Sequence, residues 1–271
     1  MMRRLAGLLC LFALAVGPVG AQPKLIFGVV PQQSPLKLYQ NWQPVAEHLS
    51  EVTGREVVFE TEKSIAEFET QLAKGRYDLA YMNPYHYVVA HEQQGYQARF
   101  RRAGKIRGIL VSTRTAFNPE EPITRPVLFP SPNAFAATLL IKYELLAKQG
   151  VSLEYRNLVK YVNSHDSVYK GVARGVSDFG GGVERTFRTF DEGADKGKLH
   201  IVYRTDPYPS HPIAYHPRLA PSLQARFDQA WQTLPSSVME NLGFKRLLTV
   251  GDANYDSIRA LRRHLSTAPI K

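Results

Sequence analysis

Only one cysteine occurs in the 271 residues, Cys10, and it lies inside an apolar N-terminal run from Leu5 to Val16. That run follows the basic start Met1-Met2-Arg3-Arg4 and precedes the small-residue stretch Val19-Gly20-Ala21, so 1–21 reads as a cleavable secretory signal peptide and the exported chain is expected to start near Gln22. Leu9 stands before Cys10 where a lipoprotein signal would carry a small residue, so no lipid anchor is expected. Without Cys10 the exported chain has no thiol, which excludes disulfides and thiolate metal sites and leaves the apolar core to stabilise the fold. No other run approaches about 18 apolar residues, so nothing else reads as membrane-spanning. Also missing are a nucleophile elbow, a zinc-protease helix and a paired-carboxylate signature. Gly180-Gly181-Gly182 runs into Val183-Glu184 rather than Gly-Lys-Ser/Thr, so it is no phosphate loop. No cofactor, no metal site and no catalysis are expected, and there is no internal repeat.

Apolar residues make up 44% and charged residues 21%, the balance of a folded chain rather than a disordered one. The net charge of +10 favours anionic partners. Its cations are scattered, apart from Arg99, Arg101, Arg102, Lys105 and Arg107, which read as a solvated face. Export argues against nucleic acid as the partner.

Periodicity gives an α/β chain. Leu25 to Val30 is a strand, Pro31 to Pro35 a loop, and Trp42 to Val52 a helix stopped by Gly54. Val57 to Phe59 is the second strand. Ser64, with Glu67 three residues on, caps a helix whose apolar face holds Phe68 and Leu72. The stretch KGRYDLAYMNPYHYVVAH, Lys74 to His91, is then a helix end at Gly75, a strand over Tyr77 to Met82, and a new helix opened by Asn83-Pro84. This places Tyr81, Asn83, Tyr85 and His86 at the C-terminal end of a strand, where open α/β sheets bind ligands. A second unit follows, with strands at Ile109 to Val111 and Pro126 to Phe129. Its helix runs from Ala134 to Gln149, and a strand-to-helix turn lies at Asn163-Ser164-His165-Asp166. The tail is expected to return to the first unit. That gives lobe 1 over 22–108 plus 206–271, lobe 2 over 109–205, and crossings near Gly108 and Tyr203.

The ordered blocks FGVVPQQSP, EVTGREVVFE, KGRYDLAYMNPYHY, FPSPNAFAAT and YVNSHDSVYKGVARGVSDFG resemble the substrate-binding proteins of phosphate, phosphite and phosphonate ABC transporters. The resemblance spans nearly the whole exported chain. It implies a type II periplasmic binding fold: two lobes, each a mostly parallel sheet flanked by helices, with the ligand in the inter-lobe cleft. It also implies a periplasmic location, a small anionic ligand, a monomer, and a membrane partner. That partner is an ABC permease or, since the family also serves in sensing, a two-component histidine kinase.

Four contact regions carry over by position. They are the loop Pro31 to Pro35 with Gln33 and Ser34, the strand end Tyr81 to Tyr85 with Asn83, the helix start Asn133 to Ala137 with Ala134, Phe135 and Ala136, and the loop Asn163 to Ser167 with Ser164 and His165. Arg185 and His211 complete the expected ligand set. Phosphonate binders carry Ser-Thr-Ser where this chain has Ala134-Phe135-Ala136. His211 stands where the family often has an acidic residue. Backbone donors and the positive helix end remain while hydroxyls are lost. The combination suggests an anion with fewer oxygens or with an apolar part, held by an imidazole that Asp166 polarises and aided by one extra cation at His211. From a different class, His165 and Asp166 together allow a secreted phosphate-ester hydrolase.

Overall fold

The computed structural model describes residues 22–154, 158–190 and 193–265, so the signal peptide expected over 1–21 lies outside the described residues. β1 (Leu25–Val29) leads through α1 (Pro35–Thr53) to β2 (Val57–Glu60), and α2 (Ile65–Ala73) leads to β3 (Leu79–Tyr81). Then come α3 (Pro84–Gln94), β4 (Gln97–Arg102), β5 (Lys105–Ile106), β6 (Gly108–Ser112) and β7 (Val127–Phe129). A π-helical turn, Phe135–Leu140, continues into α4 (Ile141–Gln149), followed by β8 (Val159–Tyr161), α5 (His165–Ala173), β9 (Phe179–Val183), α6 (Glu184–Thr189), α7 (Ala194–Gly197) and β10 (His200–Arg204). The return comprises β11 (Tyr208–Pro209), β12 (Pro212–Tyr215), α8 (Pro221–Gln232), α9 (Ser236–Asn241), β13 (Leu247–Thr249) and α10 (Asp256–Arg262).

Two sheets result, ordered β13-β4-β12-β3-β1-β2 and β10-β6-β9-β7-β8. β1 pairs in parallel with β2 and β3, and β7 with β8 and β9, while β12, β13, β6 and β10 join through antiparallel ladders. Most strands of each sheet still run one way, because an antiparallel strand next to another antiparallel ladder restores the direction. Between the sheets the chain crosses twice, and β5 pairs with β11 there as a short antiparallel ribbon.

Alternation along β1 sets the layers. Phe27 meets Trp42 of α1 at 5.6 Å and Trp231 of α8 at 5.7 Å, both edge-on. Gly28, on the opposite face, lies against the Tyr77 ring, which stacks on Phe68 of α2 at 5.1 Å. The core around this sheet also takes in Ala134 to Leu140 and Val183 from the second lobe, so the lobes are pressed together.

Three local readings change. α1 begins at Pro35, with the proline in the first turn where its missing N–H costs nothing, well before Trp42. The basic stretch Gln97–Arg102 is a strand, with Ala98 and Phe100 turned into the core and Arg99 paired outside with Asp228. The helix expected from Ala134 opens as a π turn, in which the Leu139 N–H reaches back to the Ala134 carbonyl at 3.2 Å. Such turns recur at functional positions.

Candidate functional site

The parallel strands point their C-terminal ends at one another across the lobe boundary. From the first sheet come Val30 and Gln32 beyond β1, Asn83 beyond β3, and His211 just before β12; Ile65 and Ile106 close the sides. From the second come Ala134 to Ala137 at the π turn, His165 at the start of α5, and Val183 at the end of β9. These residues enclose a cavity of about 10 Å³, room for a single water-sized body. No carboxylate is among them.

Several groups carry the cavity's chemistry. The amides of Phe135, Ala136 and Ala137 precede the first intrahelical bonds, so no acceptor within the helix takes them. Asn83 caps α3, accepting from the His86 N–H at 2.8 Å, and its amide donates across the cleft to the Asn133 carbonyl at 3.2 Å. The left-handed backbone at Asn163 (φ 70) turns the chain so that α5 starts with His165 facing inward. His165 Nδ1 lies 2.8 Å from Thr186 Oγ1. Burial, and then the Arg185 charge, push its imidazole down to about 3, so the ring is neutral. His211 stacks on Tyr81 at 5.2 Å and is also held well below the usual histidine range, by burial first and then by Arg185 and Arg102.

Closure is sealed by further bonds between lobes. The His165 N–H donates to the Gln32 carbonyl at 3.2 Å, and the Ser34 N–H to Asp166 Oδ2 at 3.3 Å. Gln33 Nε2 donates to Thr189 Oγ1 at 3.1 Å, and Arg185 Nη2 to Gln32 Oε1 at 2.9 Å. Behind Asn83, the buried Glu69 takes His86 Nε2 at 2.7 Å and Asn133 Nδ2 at 3.2 Å, which makes a polar bridge through the apolar interface.

Of the residues expected from sequence, Asn83, Ala134, Phe135, Ala136, His165 and His211 line the cavity. Gln33, Ser34 and Asn133 join the lobes around it, and Arg185 bonds a lining residue. Tyr81 stands behind His211, between it and Trp42. Tyr85 is turned away, buried next to His86 and beside Arg262 of α10. Ser164 and Ser167 bond each other at 2.9 Å, and Ser164 caps α5, so their hydroxyls serve the helix start.

Two expected roles change. His211 is not an extra cation, because desolvation and two nearby guanidiniums keep it neutral. Asp166 does not polarise His165: Thr186 holds that ring, and Asp166 instead accepts the Ser34 amide, so the pair is no hydrolytic dyad. The reading missed Gln32, although it adjoins Gln33 in the same loop. It also missed Thr186, and the Glu69–His86 pair, whose 17-residue separation carries no motif. Gly180-Gly181-Gly182 makes room for helices rather than for a ligand. Its middle residue lies against the Ala137 carbonyl and the Phe129 ring, and the outer two against Val168 and Tyr169.

The sequence model of a family described as the periplasmic substrate-binding protein of phosphonate ABC transporters matches residues 27–255. Among solved structures, the methylphosphonate complex of PhnD1 from Prochlorococcus marinus (MIT 9301) is similar, with a TM-score of 0.81 and 15% identity over 89% of this chain and 97% of that one. A binding protein component of an ABC phosphonate transporter from Pseudomonas aeruginosa has a TM-score of 0.78 at 16% identity, over 89% of this chain and 86% of that one. A histidine kinase sensor domain with similarity to periplasmic binding proteins matches at a TM-score of 0.50 and 16% identity, over 92% of this chain and 99% of that one.

Proposed function

Because the chain belongs to the family of periplasmic substrate-binding proteins of phosphonate ABC transporters, we propose that it captures a small anion between its lobes in the periplasm and delivers it to an ABC permease. The ligand class is a phosphonate- or phosphite-like oxyanion or an organic acid. One observation carries the reading: strand ends from both sheets bring uncommitted helix-start amides, the Asn83 amide and two imidazoles to one cavity with no carboxylate on its walls. Amides at a helix start attract an anion through hydrogen bonds and the local dipole. Ala134, Phe135 and Ala136 add methyl and phenyl surface in place of hydroxyls, which favours an anion with an apolar or organic part.

The working division is lobe 1 over 22–108 plus 206–271 and lobe 2 over 109–205, with the β5–β11 ribbon as the hinge. Ligand enters the open form and the lobes close on it less far than they do here, since the closed cavity admits only a water-sized body. Both walls come from one chain, so a monomer suffices. A second reading, a ligand-sensing partner of a histidine kinase, draws on the likeness to a kinase sensor domain. The two separate genetically. Loss of a transport component abolishes uptake of the ligand, whereas loss of a sensor abolishes only the transcriptional response to it.

Purified protein is expected to gain melting temperature with methylphosphonate, phosphite or a related small oxyanion, because a ligand bound only by the folded state stabilises it. A gain with neutral sugars and with no anion would overturn the reading.

A further inference from the structure

Arg102, at the end of β4, is half-buried where the chain leaves the first lobe. Among the described residues its guanidinium donates to main-chain carbonyls alone, Ala103 at 3.3 Å and Lys105 at 3.1 Å. Arg185, in the first turn of α6 on the other lobe, donates to the neutral amide oxygen of Gln32 at 2.9 Å. Arg188, one turn further on, is exposed. Among the described residues no carboxylate forms an ion pair with any of the three, while nine of the fifteen other described arginines have one. Asp166, the acid beside His165, is engaged with the Ser34 amide.

The three flank one place: the Ser210 hydroxyl, next to His211, donates to the Arg102 carbonyl at 2.9 Å, and Arg185, one turn before Arg188, bonds Gln32 of the same cavity wall. Arg102 loses proton affinity first through burial and then, against an opposing effect of Tyr81, through Arg185 and Arg188. Arg185 and Arg102 both act on His211. In the same place two buried polar atoms have no partner: the hydroxyl of Tyr81, 2% exposed, and Nε2 of His211, 3% exposed. Cations gathered with only neutral acceptors repel one another, and unpaired buried polar atoms add to the cost. An acidic group arriving there would relieve both, through charge-assisted bonds about twice as strong as the neutral ones they replace.

We propose that Arg102 from one lobe, with Arg185 and Arg188 from the other, forms a second anion subsite at the cleft mouth, so that the ligand carries two acidic groups. A phosphonate-type head meets the helix-start amides, and a carboxylate or second phosphoryl group meets the arginines, the Tyr81 hydroxyl and His211. Gln32 Oε1 occupies the place of one oxygen of that second group and gives way to it. Because the arginines sit on opposite lobes, the second acid also links binding to closure. The inference rests on the anion-capture reading and narrows its ligand.

Calorimetric titration with three probes tests it: methylphosphonate, 3-phosphonopropionate and 2-aminoethylphosphonate. The expected order is 3-phosphonopropionate tightest, by about tenfold or more over methylphosphonate (about 1.4 kcal/mol per factor of ten), with the ammonium-bearing probe weakest. Arg102→Gln should bring the ratio of 3-phosphonopropionate to methylphosphonate affinity toward one. Arg188→Gln, at an exposed position that does not threaten folding, should lower it in the same direction. Methylphosphonate binding as tightly as 3-phosphonopropionate, or a ratio unchanged in both variants, would overturn the second subsite and leave anion capture standing. Failure of every probe to bind would remove both.

Discussion

His211 and His165 illustrate what a residue's surroundings do to its chemistry. Imidazole is ordinarily half-charged near neutral pH, yet both rings here are neutral because charging them would mean burying a cation near arginines. Toward the proposed ligand they would therefore offer hydrogen bonds rather than charge, and the positive charge beside them resides on Arg185 and Arg102. A stability consequence follows. His165 takes up a proton near 6.5 in the unfolded chain and only near 3 in the folded one, so between those values the unfolded state binds the extra proton. Stability should fall as pH drops below about 6.5 and keep falling toward pH 3, with His211 acting in the same direction. Melting temperature measured from pH 7 to pH 5 should decline, and His165→Gln should make the decline shallower. A variant with the same slope as the parent would contradict the assignment.

At the scale of elements, the start of the Phe135–Leu140 π turn is the feature that matters most to the cleft. Its first residues line the cavity while the turn is pressed against β6 and β9, and glycines permit that approach: the space at Gly108 is filled by the Ala136 carbonyl, and the space at Gly181 by the Ala137 carbonyl and the Phe129 ring. A methyl group at Gly181 has nowhere to go. Gly181→Ala should cost about 1–3 kcal/mol or more in urea unfolding, as overpacking does, while Gly197→Ala, into open space on α7, should be close to neutral. Equal effects would mean that β9 does not approach the turn so closely. Elements with local signatures were legible in the sequence. The Ser64 hydroxyl does accept the Glu67 amide at 3.1 Å, and Gly54 and Gly150 end their helices with left-handed backbone. β4 was hidden because three of its six residues are arginines and only two, Ala98 and Phe100, are core, so its charge masked its alternation.

For the whole molecule, the bonds that Asn83 and Glu69 make to Asn133 are a latch between lobes, formed only when the lobes meet, and the Glu69–His86 bond within lobe 1 holds one half of it in place. Asn133→Ala removes the side chain that reaches Glu69 and should favour the open arrangement. In small-angle scattering, the ligand-free variant should then show a larger radius of gyration than the parent, and saturating ligand should narrow the difference. Indistinguishable curves in the absence of ligand would show that this bond does not hold the lobes together.

Chain order by itself determined the α/β alternation, the strand-to-helix turns that carry Asn83, Asn133 and His165, and the apolar run Ala134-Phe135-Ala136. These follow from local periodicity, capping and residue identity, which neighbouring positions are enough to reveal. Only the tertiary structure decided which of those turns share a cavity and in what electrical state. Tyr85 looked as well placed as Asn83, yet the helical twist of α3 carries it to the far side, beside Arg262. Arg102 and Arg185 lie 83 positions apart, and nothing local marks them as neighbours. Their meeting depends on lobe closure, and so does the neutrality of His211, because burial and electric fields come from groups brought together in space.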